Sequence, residues 1–167
     1  IRTKHIDELI DIFRNVNNKN WKLVIVGGNA KNLNLLEEYR DLVIRLGLND
    51  QIELVGTKTN VEYYYGKAKI FAFTSSSEGF PNVLGEAMSF GLPLIAYDCS
   101  AGPSDLIQDG ETGFLIEERK QKSYEQKLKR LMQEPELRYK LGAKSLEKIQ
   151  DFDVDNIAEK FFAFITK

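Results

Sequence analysis

One cysteine, one histidine and one tryptophan occur in 167 residues. Cys99 has no partner within the chain, which excludes an internal disulfide framework and suits a reducing compartment. With His5 the only imidazole and no second thiol, zinc-type ligand spacing is absent, and no acidic run has calcium spacing. No metal and no other cofactor is expected. No apolar run approaches the roughly 20 residues of a membrane span, and no stretch reads as a signal peptide. A net charge of −2 supplies no basic field for nucleic acid. Lys and Arg do gather between Arg119 and Arg130, but Glu117, Glu118 and Glu125 interrupt them, as on a solvated helix face. Repeats and low-complexity tracts are missing. So are the dinucleotide fingerprint G-x-G-x-x-G and the phosphate loop G-x-x-x-x-G-K-[ST].

What is present suits one packed domain over 1–167, with 43% hydrophobic residues and 12 glycines. Apolar strand patterns at 23–26, 52–55, 70–73 and 94–97 alternate with helix patterns, and Phe114-Leu115-Ile116 forms a last strand. Leu94-Ile95-Ala96-Tyr97 is apolar throughout, as in a parallel strand covered on both faces. The expected class is α/β, a Rossmann-like doubly wound parallel sheet with helices on both faces. From Ser123 onward the chain reads as helical, a C-terminal portion over 123–167. It carries stripes at Tyr124, Leu128 and Leu131, then Leu137, Leu141, Leu146 and Ile149, then Ile157, Phe161, Phe162 and Ile165. The first helix, with Ile6, Leu9, Ile10 and Phe13, has no strand before it. The chain opens mid-pattern, and the expectation is a fragment with a strand upstream.

The organising stretch is Glu78-Gly79-Phe80-Pro81-Asn82-Val83-Leu84-Gly85-Glu86-Ala87-Met88. It follows the strand at 70–73 and the polar turn Thr74-Ser75-Ser76-Ser77, and it opens a helix that stops at Gly91 and Pro93. In open α/β sheets ligands sit at the carboxyl ends of strands. Val83, Ala87 and Phe90 share one helix face, and Leu84 and Met88 an adjoining one, so the helix is expected to be largely buried. A carboxylate there costs several kcal/mol, roughly, unless something binds it. No Lys or Arg lies three or four positions from Glu86. Two readings stand: a ligand diol at Glu86, or a helix-edge acid reaching solvent or a distant Arg. The helix start favours an anion such as phosphate. Pro81 suits a first turn, and Gly79 and Gly85 leave room for a ligand to approach the backbone.

These residues carry a resemblance. Glu78-Gly79-Phe80-Pro81, then Glu86-Ala87-Met88-Ser89-Phe90-Gly91-Leu92-Pro93, resembles the signature of the family 4 retaining glycosyltransferases, two acids with seven residues between them followed by Ala, Gly and Pro. Those enzymes have the GT-B architecture, two Rossmann-like halves around a cleft. The resemblance covers nearly the whole chain but only the C-terminal, donor-binding half, so the N-terminal acceptor half is absent from it.

The resemblance implies that Glu86 holds the ribose hydroxyls. It implies that Glu78 is catalytic and serves the donor sugar with Gly79, Phe80 and Pro81, and that Asn82, Val83 and Leu84 complete the sugar and diphosphate site. Lys4 stands where the family has a Lys on the diphosphate, usually followed by Gly; here His5 replaces that Gly and leaves the local turn open. The family's Arg falls a few residues earlier, and Arg2 is too close to Lys4 to be it. His5, beside the chain end, is expected to be exposed. The base would pack at Gly56, Thr57 and Val61, mostly through backbone. Tyr63-Tyr64-Tyr65 would either stack on a base or, the favoured reading, pack at the helix–strand junction. Gly28 is a weak candidate near the cleft. Ala101-Gly102 and Asp105 depart from the family's paired glycines and Glu, and Ser104 or Asp105 is expected to cap a short helix. Cys99 is expected to be packed rather than reactive. The family's terminal helix crosses onto the N-terminal half, so its aromatic face here is expected to be exposed or to sit on a partner.

The function so implied is transfer of a sugar from a nucleoside diphosphate sugar, UDP by family prevalence, to a glycan or lipid-linked acceptor in cell-surface polysaccharide synthesis. It would act in the cytoplasm, with peripheral contact at the inner face of the membrane through a longer protein. Two rivals are a nucleotide-sugar binding module without activity and a sugar-nucleotide epimerase of the same architecture. A glycosidase pair is disfavoured, because Glu86 on a buried helix would lack a water route.

Overall fold

The computed structural model describes residues 2–29, 33–100 and 102–166. Ala101, singled out above with Gly102, and Ile1 lie outside them. Five strands form: β1 (Leu23–Val26), β2 (Ile52–Gly56), β3 (Phe71–Phe73), β4 (Leu94–Asp98) and β5 (Gly113–Glu117). Between and after them run α1 (Ile6–Val16), α2 (Leu35–Arg45), α3 (Glu62–Lys67), α4 (Asn82–Ser89), α5 (Pro103–Leu106), α6 (Gln121–Gln133), α7 (Pro135–Ile149) and α8 (Val154–Ile165). Every pairing is parallel, as the apolar strand runs and intervening helices require.

The strands make two sheets, β1-β2 and β3-β4-β5, where the sequence suggested one. In the first, Leu23 pairs with Ile52; in the second, Phe71 pairs with Leu94 and Leu94 with Gly113. Both β1 and β3 line one cleft of about 1020 Å³ along their whole length, from Trp21 to Gly28 and from Lys69 to Ser75.

β4 shows how helices come to lie on both faces. Leu94 and Ala96 pack with Leu84, Ala87 and Met88 of α4 and with Leu106. Ile95 and Tyr97 point the other way, into a cluster with Ile10 and Phe13 of α1 and Leu128 and Leu131 of α6. Side chains alternate along a strand, so only a segment apolar at every position fills both cores. Each fully buried aliphatic side chain contributes roughly 1.5–3 kcal/mol, and Leu94, Ile95, Leu84, Leu131 and Ile10 are all fully buried.

Three local expectations are corrected. The short helix α5 is capped by Gly102 (φ 112), with no side-chain cap bond, because Ser104 and Asp105 already lie inside its first turn. Leu146 is exposed, because the side of α7 that faces inward is carried by Leu141, Gly142 and Ser145. α4 begins one residue later than a first-turn proline implies, with Pro81 as its N-cap. α8 has no buried residue; Phe161, Phe162, Phe164 and Ile165 are all exposed. No helix among the described residues is long and apolar enough to cross a membrane.

Candidate functional site

β3 delivers its chain into a loop that is tied to the N-terminal segment. The Thr74 hydroxyl donates to Lys4 O at 2.9 Å and to His5 O at 3.2 Å, and Ser76 N–H donates to Thr3 O at 2.9 Å. His5 Nε2 and Ser76 Oγ share a hydrogen bond at 2.8 Å. His5 is therefore half-buried and partnered, not free in solvent as the sequence suggested. Its backbone is left-handed (φ 46, ψ 49), the conformation glycine adopts at no cost. The turn that a glycine would make is thus kept, with the helix entry and the Ser76 contact holding the histidine in it.

This strapping places Lys4 over the loop. Lys4 Nζ forms an ion pair with Glu78 Oε1, and the ammonium lies 5.6 Å from the Phe73 ring centroid. The Glu78 side chain is only 14% exposed and that of Lys4 37%, so the pair is screened less than a surface bridge. The two residues expected at different ends of a donor are joined in one contact. Arg2 pairs instead with Glu38, at 3.3 Å on the surface.

The start of α4 offers fewer free amides than an ideal helix tip. Asn82 N–H goes to Phe80 O and Leu84 N–H to Pro81 O, at 3.0 and 2.9 Å. Among the described residues, Val83 N–H has no such partner. Asn82 and Val83 are exposed, but Leu84 is fully buried beneath α4, where an apolar side chain belongs in the core. Pro81 is buried against Gly102, where an added Cβ would fall 2.2 Å from Pro81 Cδ. Any ligand contact from Pro81 or Leu84 is therefore by backbone. Gly79 has open space around it, whereas a Cβ added to Gly85 would touch Ile149 of α7 at 3.4 Å, so Gly85 faces that helix and not open space for a ligand. Phe80 is exposed, tilted against Phe152 with centroids 6.3 Å apart.

Glu86 is exposed, not buried as the apolar pattern of α4 suggested. Leu84, Ala87 and Met88 occupy the buried face, and Glu86 points from the other side into the cleft. An exposed carboxylate needs no ligand to offset desolvation, so what marks Glu86 is its position and its partner. Glu86 Oε2 accepts a hydrogen bond from the Tyr65 hydroxyl at 2.9 Å. Tyr65 stacks on Phe90, with centroids 5.5 Å apart, and tilts against Phe71 at 5.8 Å. Burial and then the bond to Glu86 raise its phenol well above the ordinary tyrosine range, so it stays a donor. Of the tyrosine run, Tyr63 is exposed beneath Lys67 and only Tyr64 and Tyr65 are half-buried. Tyr65 was legible as a packing residue; its bond to Glu86, 21 positions away, had no local signal.

The loops after β1 and β2 touch. Gly27 N–H donates to Gly56 O at 3.0 Å, and a Cβ on Gly28 would fall 2.1 Å from Thr57 Oγ1. Val61, the N-cap of α3, lines the cleft with Gly28, Lys4, Val83 and Glu86. Gly56, Thr57 and Glu78 lie outside that lining. Cys99 is buried, and burial followed by the nearby Glu78 charge raises its thiol. Among the described residues no three His, Cys, Asp or Glu side chains gather as a metal site would need.

A parallel α/β domain with one acid in the loop and a second on the helix after the same strand, the second lining a cleft beside β1 and β3, has the form of half a GT-B glycosyltransferase. Residues 1–148 match the glycosyl transferases group 1 family, and the chain belongs to it. It is 30% identical over 158 residues to the amylovoran biosynthesis glycosyltransferase AmsD of Erwinia amylovora, covering 95% of this chain and 43% of that one. It superposes on a Staphylococcus aureus TarM variant, solved with fondaparinux, alpha-GlcNAc-glycerol and UDP, with a TM-score of 0.89 and 26% identity, covering 100% of this chain and 34% of that one. The pneumococcal O-GlcNAc transferase GtfA, solved with UDP and GlcNAc, gives 0.84 and 26%, covering 99% and 33%. The chain thus spans less than half the length of these proteins.

Proposed function

We propose that this chain is the nucleotide-sugar-binding half of a retaining glycosyltransferase. In a longer protein it would move a sugar from UDP-sugar to a glycan or lipid-linked acceptor in polysaccharide synthesis. The observation that carries the reading is the pair of acids on one strand–loop–helix unit, Glu86 aimed into the cleft and Glu78 beside Lys4. The UDP in the TarM and GtfA structures, relatives of the same fold, supports the nucleotide.

Glu86 accepts the two ribose hydroxyls, which a carboxylate suits with its two oxygens. The base lies over the Gly56–Thr57 loop and Val61. Lys4 and the free Val83 amide at the start of α4 face the diphosphate and stabilise the charge that develops as it leaves. Glu78, with the Gly79–Pro81 backbone, contacts the donor sugar. No divalent metal takes part in this scheme, since the cation and helix start already face the leaving group. The acceptor and any peripheral membrane contact belong to the rest of the longer protein, acting at the cytoplasmic face.

Glu86→Gln tests the reading. It keeps the shape, and the fold should survive because the position is exposed. UDP binding by calorimetry should weaken by about 1–3 kcal/mol, the worth of a charged hydrogen bond. Unchanged UDP affinity in the variant would remove the ribose role and with it the orientation of the donor.

A further inference from the structure

We infer that Tyr65 is the positioning residue of the ribose carboxylate, and that it sets the preference of this site for ribose over 2′-deoxyribose. The inference rests on the proposed ribose role of Glu86.

Glu86 stands on the exposed side of α4, where a flexible acid samples several rotamers. A bidentate contact to a diol needs one of them. The Tyr65 hydroxyl supplies the selection by donating to Oε2 at 2.9 Å, which leaves Oε1 and the remaining lone pairs for the diol. Tyr65 is itself fixed. Its ring lies nearly parallel to that of Phe90, the C-cap of α4, at an interplanar angle of 26°, and it tilts by 43° against Phe71 in β3. The acid and the ring that steadies its partner thus come from one helix, four positions apart, and the donor comes from another. A group locked by packing and by a supporting hydrogen bond loses less freedom when ligand binds.

The arrangement also joins two parts of the proposed site. Tyr65 is on α3, whose N-cap Val61 lies in the loop assigned to the base, and Glu86 is on the helix assigned to ribose and diphosphate. Base and ribose are one rigid unit in a nucleotide, so a bond between these helices fixes their spacing. Burial and the carboxylate keep the phenol protonated through the neutral range, so the bond persists there.

The test is the ratio of affinities for UDP and 2′-deoxy-UDP, measured by calorimetry on this chain, on Tyr65→Phe and on Glu86→Gln. Phenylalanine keeps the stacking on Phe90 and Phe71 and removes only the hydroxyl, and thermal unfolding checks the fold of each variant. The chain should favour UDP by about tenfold, one charged hydrogen bond in size. Tyr65→Phe should cut that ratio by about threefold or more, while affinity for 2′-deoxy-UDP stays nearly constant, since positioning is worth part of the bond it serves. Glu86→Gln should abolish the preference. A ratio unmoved in Tyr65→Phe but lost in Glu86→Gln overturns the inference and leaves the ribose role of Glu86 standing. An equal loss for both nucleotides in Tyr65→Phe reduces Tyr65 to a packing residue and overturns it as well. No preference in the chain itself, with Glu86→Gln silent, removes the ribose reading and the inference together.

Discussion

Lys4 and Glu78 meet in an ion pair at the mouth of the loop, with Glu78 largely shielded from water. Their joint position makes the two roles competitive: a diphosphate that recruits Lys4 must draw it from Glu78. Glu78→Gln should therefore leave UDP affinity unchanged or tighten it by up to about fivefold, the worth of a partly exposed pair of about 1 kcal/mol at most. Turnover in a longer, active protein should fall by much more if Glu78 is, as proposed, the acid at the donor sugar. Titration with UDP, with and without added salt, reads the first effect, and a transfer assay the second. Weaker UDP binding in Glu78→Gln would place the acid at the nucleotide instead. His5 completes this corner. Its left-handed backbone and its bond to Ser76 hold residues 2–5 against the loop, so Lys4 reaches Glu78 through two anchored neighbours.

Elements are held by a buried phenol between β3 and β4. Tyr124 of α6 is fully buried; its hydroxyl accepts from Phe73 N–H at 3.0 Å and donates to Ile95 O at 2.9 Å. Tyr97 next to it donates to Glu8 at 2.5 Å, with ring centroids 5.0 Å apart. Burial, first among causes, raises both phenols far above the ordinary tyrosine range. A folded-state pKa above the unfolded one gives stability that is complete below the unfolded value and is lost as pH rises beyond it. Unfolding should thus begin to ease above about pH 10, where unfolded tyrosine ionises. Tyr124→Phe should cost about 1–3 kcal/mol through loss of the hydroxyl's bonds to Phe73 N–H and Ile95 O, and it should flatten this alkaline slope. Denaturant midpoints at pH 8 and above pH 10 check both effects. An alkaline slope identical in the variant would assign the loss to other groups.

For the molecule as a whole, the two sheets and α8 matter most. β1 and β3 each have one unpaired edge, and both edges face the same cleft. α8 is capped by Asp153, whose side chain accepts from Val154 N–H at 2.6 Å, yet it presents its phenylalanines to solvent. An apolar helix face of that kind marks an interaction surface. Together with a span of less than half of its relatives, these features divide the labour of the proposed reaction. This chain should bind UDP-sugar and transfer nothing at a useful rate, because holding donor and acceptor together supplies up to roughly 7–11 kcal/mol of the barrier. Slow donor hydrolysis is the expected ceiling for a wet site. Joined to an acceptor-binding half, the chain should transfer sugar in the presence of a chelator. Full transfer by residues 1–167 alone, or loss of activity on chelation, would contradict the scheme.

Much of this was determined by the sequence alone. Strands apolar at every position, such as Leu94-Ile95-Ala96-Tyr97, have to be covered on both faces, so parallel α/β layering follows from composition and period. The spacing of Glu78 and Glu86 about a proline placed both acids on one loop–helix unit, because eight residues of chain leave little freedom. Where each acid points was decided only by the tertiary structure. The apolar residues of α4 predict burial for Glu86, yet the helix turns Leu84, Ala87 and Met88 inward and leaves the acid at the cleft. The contacts that define the site, Lys4 to Glu78 and Tyr65 to Glu86, join residues 74 and 21 positions apart. Local pattern registers periodicity along one element, whereas such pairs depend on how separate elements dock, and docking is set by the packed core beneath them.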